Sequence, residues 1–251
     1  MNSSFHHGEL EIAFLDEGEG EPIVLIHGFA SSKEVNWVQP GWVETLTKAR
    51  RRVIALDNRG HGQSAKLYDP AAYHTSRMAE DVSALMDHLG IGRADVMGYS
   101  MGARVTAYLA LEQADRVRSA ILGGLGMALV DGPGLSERIA DALEVEDADN
   151  VTGTQARVFR TFADQTKSDR RALAACIRGS RQTLTRAQLA AIRVPTLIAV
   201  GTKDAIAGSA EALAELIPGA RALSIPERDH MLAVGDKVFK AAVLAFLAER
   251  P

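Results

Sequence analysis

The sequence predicts an α/β fold in which a mostly parallel sheet carries helices on both faces. Three observations lead there. Continuous apolar runs such as Ile23-Val24-Leu25-Ile26 and the one from Val194 to Gly201 are bounded by Gly, Pro and charged residues, as strands buried on both faces are. These runs alternate with longer segments whose apolar residues recur at helical spacing, the rhythm of a sheet with crossover helices. At Gly98-Tyr99-Ser100-Met101-Gly102, one run passes through a five-residue turn directly into a helix.

Taken in order, Leu10 to Asp16 reads as a short mixed strand closed by the turn-forming stretch Gly18 to Pro22. Ile23 to Ile26 is a buried strand that runs into His27-Gly28-Phe29, and a helical region follows from Val38 to Arg50. Core packing is the expectation for Trp37 and Trp42. His27 is expected to be structural, whereas Gly28 lets the chain turn so that the N–H of Phe29 points into a site. Arg52 to Asp57 is the next strand, and the loop Asn58 to Ser64 holds two glycines. Its charged residues, with Asp57, are expected to pair with each other and with backbone. From Thr75 to Leu89 the apolar positions Met78, Val82, Leu85, Met86 and Leu89 mark a helix, with Gly90 and Gly92 as its stop. His88 is expected as a surface or packing residue on it.

The turn after Ala94 to Met97 has a physical logic. A strand that enters a helix so abruptly brings backbones together two residues on either side of the serine, so Gly98 and Gly102 must lack a Cβ. Ser100 is forced into a strained conformation with its hydroxyl outward, facing the positive end of the helix. Beyond it come the helix Ala103 to Glu112, a strand from Val117 to Leu122 ending at Gly123-Gly124, and a segment from Leu125 to Ala191 without strand patterning. Within that segment Leu135 to Leu143 and Thr154 to Phe162 have helical periodicity, while Val130 to Gly134 and Glu144 to Asn150 read as loops. The strand Val194 to Gly201 precedes Thr202-Lys203-Asp204. A last strand, Arg221 to Ile225, precedes Pro226 to His230, and an amphipathic helix from Val238 to Leu247 packs on the sheet.

Composition limits the alternatives. The chain has 251 residues, 47% hydrophobic and 24% charged, which is ordinary for a globular protein that builds a core without staples. Net charge is -4, and no basic run exceeds Arg50-Arg51-Arg52, so a nucleic-acid partner is not expected. That triplet suits a helix end, where cations favour the dipole. The single cysteine, Cys176, cannot close an internal disulfide, which fits a reducing compartment, and it reads as a small apolar helix residue. Met1 to Gly20 has no apolar leader core and no run reaches bilayer length, so a cytoplasmic protein with no membrane partner is expected. His6-His7 reads as exposed chain.

His27-Gly28-Phe29, Asp57-Asn58-Arg59-Gly60-His61-Gly62-Gln63-Ser64 and Gly98-Tyr99-Ser100-Met101-Gly102 occur in this order, each at a strand end. In this the chain resembles the α/β-hydrolase fold family, most of all its compact bacterial esterase-like members. The resemblance spans nearly the whole chain and weakens between about Leu125 and Ala191. It implies a mostly parallel eight-stranded α/β-hydrolase sheet, formed by residues 1–124 and 192–251, with a helical cap inserted at 125–191. It also implies the chain order nucleophile, acid, histidine, which Ser100, Asp204 and His230 fill. Asp229, adjoining the histidine, Asp57, before the serine, and Asp131, in the variable segment, are weaker acids for the role. The backbone N–H groups of Phe29 and Met101 would form the oxyanion hole. Met127, Leu129, Phe159 and Phe162 are candidates for lining the pocket.

The activity so implied is hydrolysis of a small or medium carboxylic ester or lactone through an acyl-enzyme, with no metal and no cofactor. Alternatives are the same triad used on an enol-lactone, a carbon–carbon bond or a peracid, or a small-molecule receptor of the same fold. Serine at position 100 disfavours the chemistry of aspartate-nucleophile dehalogenases and epoxide hydrolases.

Overall fold

The computed structural model describes residues 2–132 and 136–250. An eight-stranded sheet forms from β1 (Asn2–His7), β2 (Leu10–Glu17), β3 (Glu21–Ile26), β4 (Arg51–Leu56), β5 (Ala94–Tyr99), β6 (Val117–Gly123), β7 (Thr196–Gly201) and β8 (Arg221–Ile225), in the spatial order β1-β2-β4-β3-β5-β6-β7-β8. The β1·β2 and β2·β4 pairs are antiparallel, and all pairs from β4 through to β8 are parallel. The chain builds outward from β3 to β4 on one side, then returns to place β5 on the other. That reversal leaves a crevice at the carboxyl ends of β3 and β5, where ligands of open α/β sheets bind.

Alternate residues of the central strands feed two separate cores, as the period of two requires. Val24, Ile26, Ile54, Leu56, Val96 and Ile198 face one side. There they meet α2 (Thr75–His88) and α3 (Met101–Glu112) once α1 (Trp42–Lys48) has crossed the opposite face. Ile23, Leu25, Val53, Ala55, Met97 and Leu197 face α1, together with Trp37, Trp42, Val243 and Phe246. Each fully buried Ile, Leu or Val contributes on the order of 1.5–3 kcal/mol. Because both faces of a strand are covered, its apolar run is unbroken.

Between β6 and β7 the chain forms α4 (Arg138–Glu144), α5 (Thr154–Gln165), α6 (Arg170–Gly179) and α7 (Arg186–Ala191); α8 (Ala210–Ala214) and α9 (Lys237–Glu249) follow β7 and β8. The 125–191 stretch is tied down by polar contacts from the core: the Tyr108 hydroxyl donates to Thr183 O, and Thr75 Oγ1 to Gln182 Oε1. No helix among the described residues is long and apolar enough to cross a membrane.

Several local expectations need correction. His6 and His7 are not loose chain but the end of strand β1, and the His7 ring lies 2.8 Å from Asp81. His88, as expected, is a surface packing residue, stacked on Phe5 of that strand. Arg51 and Arg52 do not end a helix; they begin β4, where Arg51 meets Glu21 at 2.5 Å and Arg52 meets Asp16 at 2.7 Å. The region 38–50 is broken at Gly41 (φ 77°), which separates a π-helical turn, Glu34–Val38, from α1. The side chains of Asp57, Arg59 and His61 do not pair with one another, since Asp57 binds Lys33 and Arg59 binds Asp81. Their bonds to backbone are as expected: Asp57 accepts from Gln63 N, Arg59 donates to Ala72 O and the His61 ring donates to Arg59 O. Helix α4 is described from Arg138; the expected helix start at Leu135, and Pro133-Gly134 of the expected loop, lie outside the described residues. α6 was not anticipated, although Asp169 supplies its cap by accepting from Ala172 N and a stripe of Ala172, Leu173, Cys176 and Ile177 is buried.

Candidate active site

The turn after β5 meets the steric demand placed on it. A Cβ on Gly98 would sit 2.1 Å from Gly102 O, and one on Gly102 would sit 2.0 Å from Ile26 O. Gly98 therefore makes room for the incoming helix, while Gly102 makes room for the end of the neighbouring strand β3. Ser100 adopts φ 54°, ψ −111°, a region that a residue with a side chain enters only when its surroundings compel it. Its amide donates to Gly123 O at 2.7 Å, and its hydroxyl makes no capping bond to α3. The hydroxyl is left free for another partner.

That partner is His230, whose Nε2 lies 2.9 Å from Ser100 Oγ. His230 Nδ1 lies 2.7 Å from Asp204 Oδ2. An ionised carboxylate can only accept, so Nδ1 carries the ring proton and Nε2 presents its lone pair to the serine hydroxyl. Ser100, Asp204 and His230, which follow β5, β7 and β8, thus converge at the carboxyl edge of the sheet. The Asp204 side chain is fully buried. Burial alone would raise its pKa, but hydrogen bonding and charge from His230 and the amides of Ile206 and Ala207 hold it below the usual value. Those amides donate to Oδ1 at 2.8 and 3.0 Å, leaving Oδ2 for the ring. Tyr99 fixes the histidine from behind, its hydroxyl donating to His230 O at 2.6 Å. Asp229 is occupied elsewhere, accepting from the amides of Met231 and Leu232.

The loop after β3 passes close by. A Cβ on Gly28 would lie 3.5 Å from Ser100 Cβ, so the chain crosses beside the serine as it turns toward Phe29. Asn36 Oδ1 accepts from Gly28 N, and Asp57 accepts from Lys33 N, pinning this loop at both ends. Among the described residues no acceptor takes the N–H of Phe29 or of Met101. Both residues nonetheless lie below 10% exposure, at 6% and 9%. Buried amides without a partner are rare unless something else is to fill them.

Two cavities open from Ser100. One, about 490 Å³ and partly open to solvent, is lined by Met101, Arg104, Leu125, Ile177, Ser180 and Ile206. The other, about 520 Å³, holds His230, with Phe159, Phe162, Met231, Val35 and Val234 in its walls. Phe29 borders both. Phe159 and Phe162 thus line a cavity as expected, whereas Leu129 is wholly buried in the core and Met127 packs against that core. Arg104 went unnoticed in the sequence, although its place four residues after Ser100 put it one helical turn away. Among the described residues no group of three or more His, Cys, Asp or Glu could hold a metal ion.

Comparison with known proteins identifies the fold. The family model described as alpha/beta hydrolase fold matches residues 21–142. The chain is 32% identical, over 91% of its length, to the dihydrolipoyllysine-residue acetyltransferase component of the acetoin cleaving system of Pseudomonas putida, and spans 64% of that relative. It is also 32% identical to the AB hydrolase superfamily protein YisY of Bacillus subtilis, covering 76% of this chain and 77% of that one. Among solved structures, a hydrolase from Pseudomonas aeruginosa PA01 superposes with a TM-score of 0.82 at 27% identity, over 98% of both chains. With a relative so similar across most of both lengths, and a family model of the same description, this chain belongs to the α/β-hydrolase fold family.

Proposed function

We propose that the protein is a serine hydrolase that cleaves a small or medium carboxylic ester or lactone through an acyl-enzyme. The observation that carries this reading is the unbroken relay beside a cavity, Ser100 Oγ to His230 Nε2 at 2.9 Å and His230 Nδ1 to Asp204 Oδ2 at 2.7 Å. Ser100 Oγ attacks the acyl carbon while its proton passes to His230 Nε2. Asp204 holds the ring in the tautomer that can accept that proton and stabilises the resulting imidazolium. The oxyanion of the tetrahedral intermediate takes the free N–H groups of Phe29 and Met101, a single such donor being worth about 3–4 kcal/mol. As the intermediate collapses, His230 gives its proton to the departing alcohol oxygen. Water then attacks the acyl-serine and gives a proton to His230; as this second intermediate collapses, His230 returns that proton to Ser100 Oγ, and the acid and free Ser100 are released. Helices α4 to α7 act in this reading as a cap that shapes the pocket and excludes water.

The test is turnover of chromogenic carboxylic esters and labelling by a fluorophosphonate. The wild-type chain should react at Ser100 and hydrolyse the ester, and Ser100→Ala should do neither. Undiminished hydrolysis by Ser100→Ala would sink the assignment. The names of the relatives lend the broader reading support, since YisY and the Pseudomonas aeruginosa protein are described as hydrolases.

A further inference from the structure

The two cavities at Ser100 are chemically unequal, and the proposed reaction distinguishes them. The leaving oxygen must receive a proton from His230 Nε2, so the alcohol part departs through the cavity that contains His230. The acyl part then occupies the other cavity, which His230 does not line. Its walls are largely apolar, with Leu125, Ile177, Ile206 and Met101 contributing, and they contain one charged side chain, Arg104.

Arg104 is unusual in what surrounds it. It is 3% exposed, yet among the described residues no carboxylate oxygen lies within 4.0 Å of it. Its guanidinium instead donates to two neutral carbonyls, Gln182 O and Ala128 O, the latter at 3.2 Å. Two of its five N–H donors suffice for these bonds, and three are left over. Burial pushes its pKa down to about 10, which leaves it charged at neutral pH. A desolvated cation without a counterion is costly, and buried charges are normally paired. Here the fold has already met the desolvation cost, so an incoming anion has only its own hydration to lose. The Arg104 amide donates to Ser100 O at 3.2 Å, which places the Arg104 backbone about one helical turn, roughly 5.4 Å, along α3 from the serine, and both residues line the same cavity. An acyl chain of a few carbons lying in that cavity brings its far end toward the guanidinium.

On the serine-hydrolase reading above, we infer that Arg104 forms a carboxylate subsite at the end of the acyl cavity, which makes half-esters and lactones of short dicarboxylic acids the preferred substrates. Arg104 binds the distal carboxylate, and Ser100 attacks the esterified one. The alternative role for Arg104 is purely structural, bracing the 128 and 182 backbones against α3.

Two measurements separate these roles. Hydrolysis of 4-nitrophenyl hydrogen glutarate is compared with that of 4-nitrophenyl pentanoate, whose acyl chain ends in a methyl group. Wild type should favour the glutarate half-ester at least tenfold in kcat/KM. Arg104→Met should cut that preference at least tenfold, and Arg104→Lys should restore part of it. Equal losses on both esters with Arg104→Met would leave Arg104 a brace and overturn the subsite. In the second measurement, Ser100→Ala binds monomethyl glutarate and dimethyl glutarate in calorimetry, with no turnover required. At least tenfold tighter binding of the monoacid, lost in Ser100→Ala/Arg104→Met, is expected. Equal affinities overturn the subsite even if esters are hydrolysed, whereas a retained preference without any ester hydrolysis overturns the hydrolase reading and leaves the subsite standing.

Discussion

Two histidine–aspartate pairs lie near Phe29, His27–Asp57 at the strand end before it and His230–Asp204 at a cavity it lines, and only one leaves a ring nitrogen facing a hydroxyl. His27 and Asp57 sit at the ends of β3 and β4, as His230 and Asp204 follow β8 and β7. Both ring nitrogens of His27 are spent on backbone: Nδ1 donates to Gly28 O at 2.7 Å, and Nε2 accepts from Asn58 N at 3.0 Å. Asp57 is spent too, on Lys33 Nζ at 2.7 Å and on the amides of Lys33 and Gln63. In the other neighbourhood one ring nitrogen of His230 meets a carboxylate and the other meets a hydroxyl at the edge of a cavity. Residue type and position at a strand end are therefore shared by a scaffold and a candidate catalytic centre. What separates them is whether the second nitrogen is consumed by the fold or faces a place where substrate can bind.

The contrast can be broken most decisively at His230. Replacing it with Ala should lower kcat by about 10⁴-fold or more, with a melting temperature close to that of wild type. Substantial ester turnover by the folded variant would erase the distinction drawn here. At Asp57 the expected damage is to stability. Asp57→Asn takes from the Lys33 ammonium, 1% exposed, its 2.7 Å carboxylate and leaves it the half-exposed Glu34 at 3.9 Å, and about 3–5 kcal/mol of stability should go with it. Denaturant midpoints measure this, and the contrast fails if the variant is as stable as wild type while kcat falls as far as for His230→Ala.

The smallest effect concerns His61, whose ring edge faces His27 and Phe29. Burial first, and then the neighbouring His27, pushes its pKa from 6.5 down to about 3. Among the described residues its Nε2 has no hydrogen-bond partner, as suits a ring that stays neutral. As pH falls from about 6.5 towards 3, the unfolded chain takes up a proton here that the folded chain refuses. The stability contributed by this site is thus complete above pH 6.5 and declines through that window. His61→Phe should show a shallower fall of melting temperature between pH 7 and pH 4. Parallel profiles would mean that this histidine is protonated without resistance in the folded state.

Much of the core was readable because parallel strands covered on both faces leave unbroken apolar runs. β3, β5 and β7 are such runs, and each ends at a segment singled out beforehand. β1 was missed because its sequence, Asn-Ser-Ser-Phe-His-His, has little apolar alternation. It is an antiparallel edge strand that buries Phe5 and relies on pairing with β2. The arginines at 51 and 52 were misplaced for a related reason. Their partners Glu21, Asp95 and Asp16 lie on other strands, and local charge carries no record of that. Arg104 was invisible as anything but a helix residue, since the absence of a carboxylate around it is a property of the packed molecule.

Local sequence by itself determined where strands end and where the backbone must do without a Cβ. Those constraints act over a few residues, as the 2.1 and 2.0 Å approaches at Gly98 and Gly102 illustrate. It also supplied the order of serine, acid and histidine along the chain. Tertiary structure alone decided which aspartate and which histidine meet the serine, which polar groups are spent holding loops, and that the buried Arg104 has no carboxylate beside it among the described residues. Those outcomes depend on distances between residues from about twenty to 130 positions apart, and such distances exist only once the sheet has assembled.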